Sequence, residues 1–280
     1  MSKLVAALAM SHSPLIPSIP TAPPIEKRER VQAAYDQCRA ILEEAKPQVI
    51  IIVSAEHMST LSPQLIPPFT LGVAENYIGP LDKWIGIPQK EYKGSQEFSH
   101  FLLSKLYQNH FDVAMAGELA LDHGIIQPLH FVEPREEEVV VIPVVLNGIT
   151  TPLPSMKRCY EFGKVLREAI EEQEIFERVA ILGTGGLSHW VGTKEMGTVN
   201  EEWDRRVLDL IRAGRAKEFA CMNDEEIIPA GNGAEEVRAW SVVVGASLSN
   251  HGQLIAYENV KEWVTGLGFV EMKVEEGVRI

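Results

Sequence analysis

Short runs of apolar, mostly β-branched residues alternate along the chain with longer segments in which apolar residues recur every three or four positions. The first pattern predicts buried strands at 4–10, 48–55, 111–116, 139–147 and 178–186. The second predicts helices at 25–46, 95–109, 155–174, 201–213 and 234–249. Strands that alternate with helices in this way are typical of an α/β fold.

No internal repeat, low-complexity tract or shift in composition divides the chain. We therefore expect residues 1–280 to form a single domain. The stretch 198–232 is the one candidate for a small helical subdomain.

Composition narrows the classes of function. The 280 residues are 45% apolar, which is enough for a core without disulfides, and the net charge is −13. That charge argues against nucleic-acid binding, which needs Lys and Arg to neutralise phosphates. No apolar run is long enough to cross a bilayer, so we expect no membrane partner. Cys38, Cys159 and Cys221 form no CxxC pair, which favours a reducing compartment, and we expect a cytoplasmic protein.

Four of the eight histidines stand near the ends of predicted strands. His12, His57 and His189 each follow a strand, and His123 lies between a predicted strand and a proline. Ligands of open α/β sheets bind beyond the carboxyl ends of the strands. We therefore expect the active site at that edge of the sheet. The other four histidines fall in helices or turns and are predicted to be surface or capping residues.

A carboxylate that could join these histidines begins the last predicted helix, in the segment AGNGAEEVRAW. Helical spacing puts Glu236 on the same inward face as Trp240 and Val243. It leaves Glu235 and Arg238 more exposed. An inward carboxylate needs a partner, and a metal ion is one candidate.

Two imidazoles and one carboxylate make the facial triad of non-haem Fe(II) oxygenases, which leaves coordination positions free for substrate and dioxygen. The same ligand set could hold zinc in a hydrolase. The residue types alone leave both readings open. The remaining histidines are suited to general acid–base work beside such a metal, because imidazole is a side chain that exchanges protons near neutral pH.

Several longer motifs together resemble one family, the class III extradiol ring-cleavage dioxygenases, which share the fold of the β subunit of protocatechuate 4,5-dioxygenase. The resemblance spans nearly the whole chain. Its motifs are SHSPL from Ser11, PPFTLGV from Pro67, DHGIIQPL from Asp122, IPVVLNGITTPLP from Ile142, GTGGLSH from Gly183, EEWDRRVLDLI from Glu201, AGNGAEEVRAW from Ala230, and EWVTGLGF near the end.

The resemblance implies a three-layer α/β/α fold around a central mixed sheet. It implies Fe(II) held by His12, His57 and Glu236, with His123 and His189 as the acid–base pair and Asp122 as its carboxylate neighbour. The implied substrates are a catechol and dioxygen, and the implied assembly is a homo-oligomer of a single kind of chain.

Two departures from the family pattern leave the ring substituent and the cleavage position open. The segment 190–200 is shorter than its counterpart, and Trp190 and Val191 replace a Gln-Pro pair after the histidine. A zinc-dependent hydrolase and a non-enzymatic binding relative remain the rival hypotheses.

Overall fold

The computed structural model describes residues 2–62, 64–135 and 138–276. Ten strands and nine α-helices alternate through these residues. The strands are β1 (Lys3–Met10), β2 (Val49–Ala55), β3 (Phe69–Gly72), β4 (Asn76–Gly79), β5 (Lys90–Lys93), β6 (Ala114–Ala116), β7 (Val140–Leu146), β8 (Arg178–Thr184), β9 (Gly252–Val260) and β10 (Thr265–Met272). The helices are α1 (Leu15–Ser18), α2 (Ile25–Ala45), α3 (Gln96–Gln108), α4 (His123–Val132), α5 (Met156–Glu172), α6 (Glu201–Arg212), α7 (Ala216–Ala220), α8 (Asp224–Ile227) and α9 (Arg238–Ser247).

Eight of the strands form one mixed sheet in the order β6-β3-β7-β2-β8-β1-β10-β9. The central strands β7, β2, β8 and β1 are parallel. The sheet becomes mixed because β3 pairs antiparallel with β7, and β10 pairs antiparallel with both β1 and β9. Strands β4 and β5 form a separate antiparallel hairpin. The carboxyl ends of β2, β8 and β1 therefore lie side by side.

Helices cover both faces of the sheet. On β2, Ile50 and Ile52 point into a hydrophobic cluster shared with α2 and α4, whereas Ile51 and Val53 point into a second cluster shared with α3, α5 and α9. This period-two division of a fully buried strand is what a sheet covered on both faces requires. The three-layer α/β/α prediction is confirmed.

The predicted strands at 4–10, 48–55, 139–147 and 178–186 appear as β1, β2, β7 and β8. The strand expected at 111–116 is limited to Ala114–Ala116, and the last predicted helix begins as a 3₁₀ turn at Asn232–Val237 before α9. The sequence patterns missed β3, β4, β5, β9, β10, α1 and α4. The antiparallel strand β9 is half-buried along most of its length, so it lacks the continuous apolar run of a central strand.

The stretch 198–232 contains α6, α7 and α8. Trp203, Val207 and Phe219 from this stretch pack in the same hydrophobic cluster as α9. A single domain over 1–280 stays a prediction. Within the described residues, no helix combines the length and the apolar character needed to span a membrane.

Candidate metal centre

Two histidines reach the candidate centre from the ends of parallel strands. His12 lies two residues beyond β1 and His57 two residues beyond β2. Although β8 separates these strands, the rings converge, and the two Nε2 atoms are 3.2 Å apart. The side chain of His12 is 3% exposed and that of His57 12% exposed. The predicted polar site at the carboxyl edge of the sheet therefore exists as a buried imidazole pair.

Glu236 completes this group from the 3₁₀ turn that precedes α9. Its carboxylate oxygens are 3.9 Å from His12 Nε2 and 3.3 Å from His57 Nε2. The loop after β8 approaches the same carboxylate closely, and the Gly186 backbone N–H donates to Oε2 at 2.8 Å. A Cβ at Gly185, which has a φ of +120°, would lie 2.6 Å from the Glu236 Cβ. Only glycine permits this approach.

The predicted difference in exposure between Glu235, Glu236 and Arg238 is wrong for Arg238. Glu236 is buried and faces inward as expected, but the Arg238 side chain is only 1% exposed. Its guanidinium donates to the carbonyl oxygen of Pro154 and to the carboxylates of Asp224 and Glu235. These acceptors compensate the buried charge, which spacing along one helix does not reveal.

The donor atoms suit a divalent metal ion. His57 donates from Nδ1 to Asp122, which leaves its Nε2 to face His12 Nε2 and the Glu236 carboxylate. Burial lowers the pKa of His12 to about 3. Burial also raises the pKa of Glu236, but the nearby histidines outweigh burial and hold that pKa well below its usual range. A neutral imidazole and an ionised carboxylate are the ligand forms of these residues.

A third histidine widens the choice of ligands. Side-chain nitrogens of His12, His57 and His123 all lie within 4.8 Å of one another, so either three imidazoles or two imidazoles and Glu236 could hold a metal. The His123 ring centroid is 4.3 Å from that of His57 and 5.5 Å from that of His12. The structure therefore brings His123 to the centre, as predicted.

The short strand β6 (Ala114–Ala116) precedes His123 as expected, but it does not lead directly into it. An isolated bridge between Ala120 and Ile78 lies between them, and His123 is the first residue of α4. Asp122 caps the helix by accepting from the Gly124 N–H at 3.0 Å. An aspartate with non-helical backbone just before a helix is a strong start signal.

Asp122 contacts His57 rather than His123. Its Oδ2 accepts from His57 Nδ1 at 3.0 Å and from the Ser59 hydroxyl at 3.2 Å. Although burial raises its pKa, the charge and hydrogen bond of His57 outweigh burial, and the net shift of the Asp122 pKa is strongly downward. Burial lowers the pKa of His57, but Asp122 and Glu236 outweigh it and raise that pKa well above its usual value.

His189 approaches Glu236 from the loop after β8. Its Nδ1 donates to the carbonyl oxygen of Leu187 at 3.1 Å, and its Nε2 lies 3.6 Å from Glu236 Oε1. Burial lowers the pKa of His189, but Glu236 and the carbonyl outweigh it, and the net shift is upward. His12, His57 and His189 therefore all face the Glu236 carboxylate, and His123 lies beside the rings of His12 and His57. The four histidines predicted to be surface or capping residues are exposed and lie elsewhere.

Two carboxylates that support the site were missed by the sequence patterns. Asp82 accepts from His123 through both the backbone N–H and Nδ1. Asp204, within the EEWDRRVLDLI motif, accepts from the backbone N–H and the hydroxyl of Ser188 at 2.8 and 2.9 Å. The EEWDRRVLDLI motif could have pointed to Asp204 as a site residue. Asp82 stands 41 positions from its histidine in a segment with no motif.

Comparisons with known proteins find relatives along nearly the whole chain. A family model described as the catalytic LigB subunit of aromatic ring-opening dioxygenase matches residues 6–268. The 2,3-dihydroxyphenylpropionate/2,3-dihydroxicinnamic acid 1,2-dioxygenase of Photorhabdus laumondii is 26% identical over 95% of this chain and 96% of its own length. Enzymes of the same name from Rhodococcus globerulus and Klebsiella pneumoniae are each 25% identical, over 93% and 95% of this chain and 96% and 98% of their own lengths. These relatives confirm the resemblance inferred from the motifs.

Proposed function

The chain belongs to the LigB family of catalytic subunits of aromatic ring-opening dioxygenases, and we propose that it opens a catechol ring at a mononuclear Fe(II) centre held by His12, His57 and Glu236. It is an extradiol dioxygenase, an oxidoreductase that places both atoms of dioxygen in the product. The observation that carries the ligand assignment is the convergence of two imidazole nitrogens and one ionised carboxylate at a buried point.

Glu236 is a better third ligand than His123. A buried, ionised carboxylate without a cation is costly, and binding a divalent ion removes that cost. His123 also has an orienting carboxylate, because Asp82 accepts from its Nδ1, so the choice between the two residues rests on the buried charge of Glu236. Two imidazoles and a carboxylate also form the ligand set that leaves positions free for a catechol and dioxygen on Fe(II).

Bound Fe(II) would hold catechol and dioxygen together and pass electron density from the ring to the oxygen. The chain's own residues hold and move the protons. The His123 ring lies against those of His12 and His57, and His189 presents Nε2 towards Glu236, so both imidazoles lie beside the proposed metal ligands. We propose these two as the acid–base pair.

Asp122 is proposed to orient His57 within this centre. Because Asp122 accepts from Nδ1, it fixes the tautomer of His57 with Nε2 facing the metal position. This role replaces the expected one beside His123. We further propose that the enzyme acts in the cytoplasm as a homo-oligomer. The free thiols of Cys38, Cys159 and Cys221 fit a reducing compartment.

Anaerobic reconstitution tests the reaction class. Protein purified without oxygen is loaded with Fe(II) or with Zn(II) and then exposed to oxygen with dihydroxyphenylpropionate, protocatechuate, homoprotocatechuate or 2-aminophenol. We expect a yellow ring-opened product and oxygen uptake with Fe(II) alone. Ester or amide hydrolysis by the Zn(II) form, without oxygen uptake by the Fe(II) form, would support the hydrolase instead.

Single variants test the assignment of residues. His12→Ala and Glu236→Ala should lose bound iron and turnover together, whereas His189→Phe should keep iron and lose most ring cleavage, because the removed group moves protons rather than holding the metal. His100→Ala, at an exposed position, is the matched control and should retain both. Ring cleavage by an iron-free His12→Ala protein would contradict the proposal.

A further inference from the structure

The hairpin of β4 and β5 carries one carboxylate into the histidine cluster. Asp82 follows β4 and directly precedes a 3₁₀ turn at Lys83–Ile85. A single oxygen, Oδ2, accepts from the backbone N–H of His123 at 2.8 Å and from its Nδ1 at 2.9 Å. The two bonds fix both the position of the residue and the rotation of its ring.

From this contact we infer that Asp82 is a positioning residue, which holds His123 in the tautomer protonated at Nδ1 and so directs a free Nε2 towards the metal ligands His12 and His57. The inference rests on the proposed function, because proton transfer during ring cleavage is the role that it gives to the His123 Nε2. Asp82 itself touches neither the metal ligands nor the reacting atoms.

Asp82 has no competing local use. An aspartate at this point of a helix commonly caps its own first turn, but the Asp82 side chain makes no such bond. Its Oδ2 instead accepts from His123, which lies 41 positions away along the chain. The Asp82 side chain is 14% exposed, so the charged hydrogen bond is shielded from water.

Backbone bonds hold the hairpin at the distance that this contact needs. The Leu81 N–H donates to the Leu121 carbonyl at 2.7 Å, and the Leu121 N–H donates to the Ile78 carbonyl at 2.9 Å. Asp82 directly follows Leu81, and His123 lies two residues after Leu121. The backbone pairing of the two segments therefore places Asp82 beside His123 independently of any side-chain contact.

Two aspartates thus make one orienting contact each. Asp122 holds the proposed ligand His57, and Asp82 holds the proposed acid–base group His123, while the two rings are 4.3 Å apart. Loss of the Asp122 contact would disturb the metal site. Loss of the Asp82 contact should leave the metal in place and misdirect proton transfer.

Two substitutions separate geometry from charge. Asp82→Asn can place its amide oxygen where Oδ2 lies and keep both hydrogen bonds, whereas Asp82→Ala removes both. For Asp82→Ala we expect kcat for ring cleavage to fall about 10- to 100-fold, with KM within about threefold and iron content unchanged. Asp82→Asn should recover most of that loss. Asp112→Asn, an exposed aspartate, is the control and should match the wild type.

A measurement without turnover tests the tautomer itself. Nitrogen-15 NMR of histidine side chains is recorded on metal-free protein above about pH 8, with the His123 signals assigned by their loss in His123→Gln. We expect an Nδ1-protonated ring in the wild type and in Asp82→Asn, and an Nε2-protonated or mixed ring in Asp82→Ala.

The two readouts separate failure of this inference from failure of the proposed function. A wild type that cleaves no catechol, but shows the expected tautomers, would overturn the proposed function and leave the positioning of His123 standing. A wild type that cleaves catechol, with kcat and the His123 tautomer unchanged in Asp82→Ala, would overturn the role of Asp82.

Discussion

At the scale of single residues, carboxylates set the direction of the His57 and His123 rings and hold the loop that carries His189. Asp122 and Asp82 each accept from an Nδ1 atom, and Glu236 is left with its oxygens facing three histidines. Each accepted proton forces the opposite nitrogen to face the centre. Partners of this kind fix ring orientation and affect metal affinity or activity without binding the metal.

The buried Asp204 carboxyl predicts a measurable dependence of stability on pH. It accepts from the Ser188 backbone N–H and hydroxyl and from the Tyr257 hydroxyl. Burial raises its pKa from 3.8 to about 6 against these bonds. The folded state therefore binds this proton more tightly, so the group favours folding fully below pH 3.8, and that contribution is lost as pH rises through about 6.

Unfolding by urea should show this loss as a difference between proteins. Relative to Asp204→Asn, whose side chain does not titrate, metal-free wild type should lose about 2 kcal/mol of unfolding free energy between about pH 4 and pH 7. Comparison with Asp112→Asn, an exposed aspartate without these contacts, supplies the control. A difference between wild type and Asp204→Asn that stays constant with pH would show that burial does not perturb this carboxyl.

At the scale of elements, sequence patterns found what is uniformly buried and missed what is partly exposed. The central strand β2 is apolar throughout, and the helix α5 repeats its apolar face regularly, so both were predicted. The edge strand β9 and the short hairpin strand β4 expose alternate or most residues and carry no comparable run. The spacing of apolar residues along the chain therefore indicates burial more than it indicates strand formation.

The residues of the candidate site were likewise predicted in part and missed in part. Strand-end placement pointed to His12, His57 and His189, because neighbouring parallel strands bring their carboxyl ends together. It could not find Asp82, since that contact depends on how a hairpin outside the main sheet pairs with the segment before α4. The burial of Arg238 was missed for a similar reason, because Pro154 and Asp224, which accept its hydrogen bonds, lie on other segments.

Close packing of α5 on α9 predicts a sharp cost for one added methyl group. A Cβ at Gly163 would lie 2.0 Å from the Val242 carbonyl oxygen, and one at Gly245 would lie 2.0 Å from the Tyr160 carbonyl oxygen. Because backbone atoms are the obstacle, the helices must separate. Gly163→Ala should lower the unfolding free energy by about 1–3 kcal/mol, measured by urea titration.

Gly117→Ala is the matched control for this substitution, because no atom lies within 4 Å of the added Cβ. Its unfolding free energy should stay close to that of the wild type. Equal stability of the Gly163→Ala and Gly117→Ala proteins would show that α5 and α9 can separate without cost.

At the scale of the whole molecule, the proposed metal ligands join distant parts of the chain. His12 follows the first strand, His57 the second, and Glu236 precedes the last α-helix. An unfolded chain does not hold these three side chains together, so a metal bound by them stabilises the folded state alone. The metal should therefore act as a cross-link between the ends of two early strands and the segment before the last α-helix.

This cross-link predicts a rise in melting temperature when Fe(II) is added anaerobically. At a free metal concentration about 100 times Kd, the gain is about 2.7 kcal/mol, which corresponds to roughly 5 °C or more for a chain of this size. The rise should be lost in Glu236→Ala and kept in His100→Ala. Because Asp122 and Glu236 outweigh burial and raise the pKa of His57, protons compete for its Nε2, and the rise should shrink as pH falls. An undiminished rise in Glu236→Ala would place the stabilising metal on another set of ligands, with His12, His57 and His123 as the first set to examine.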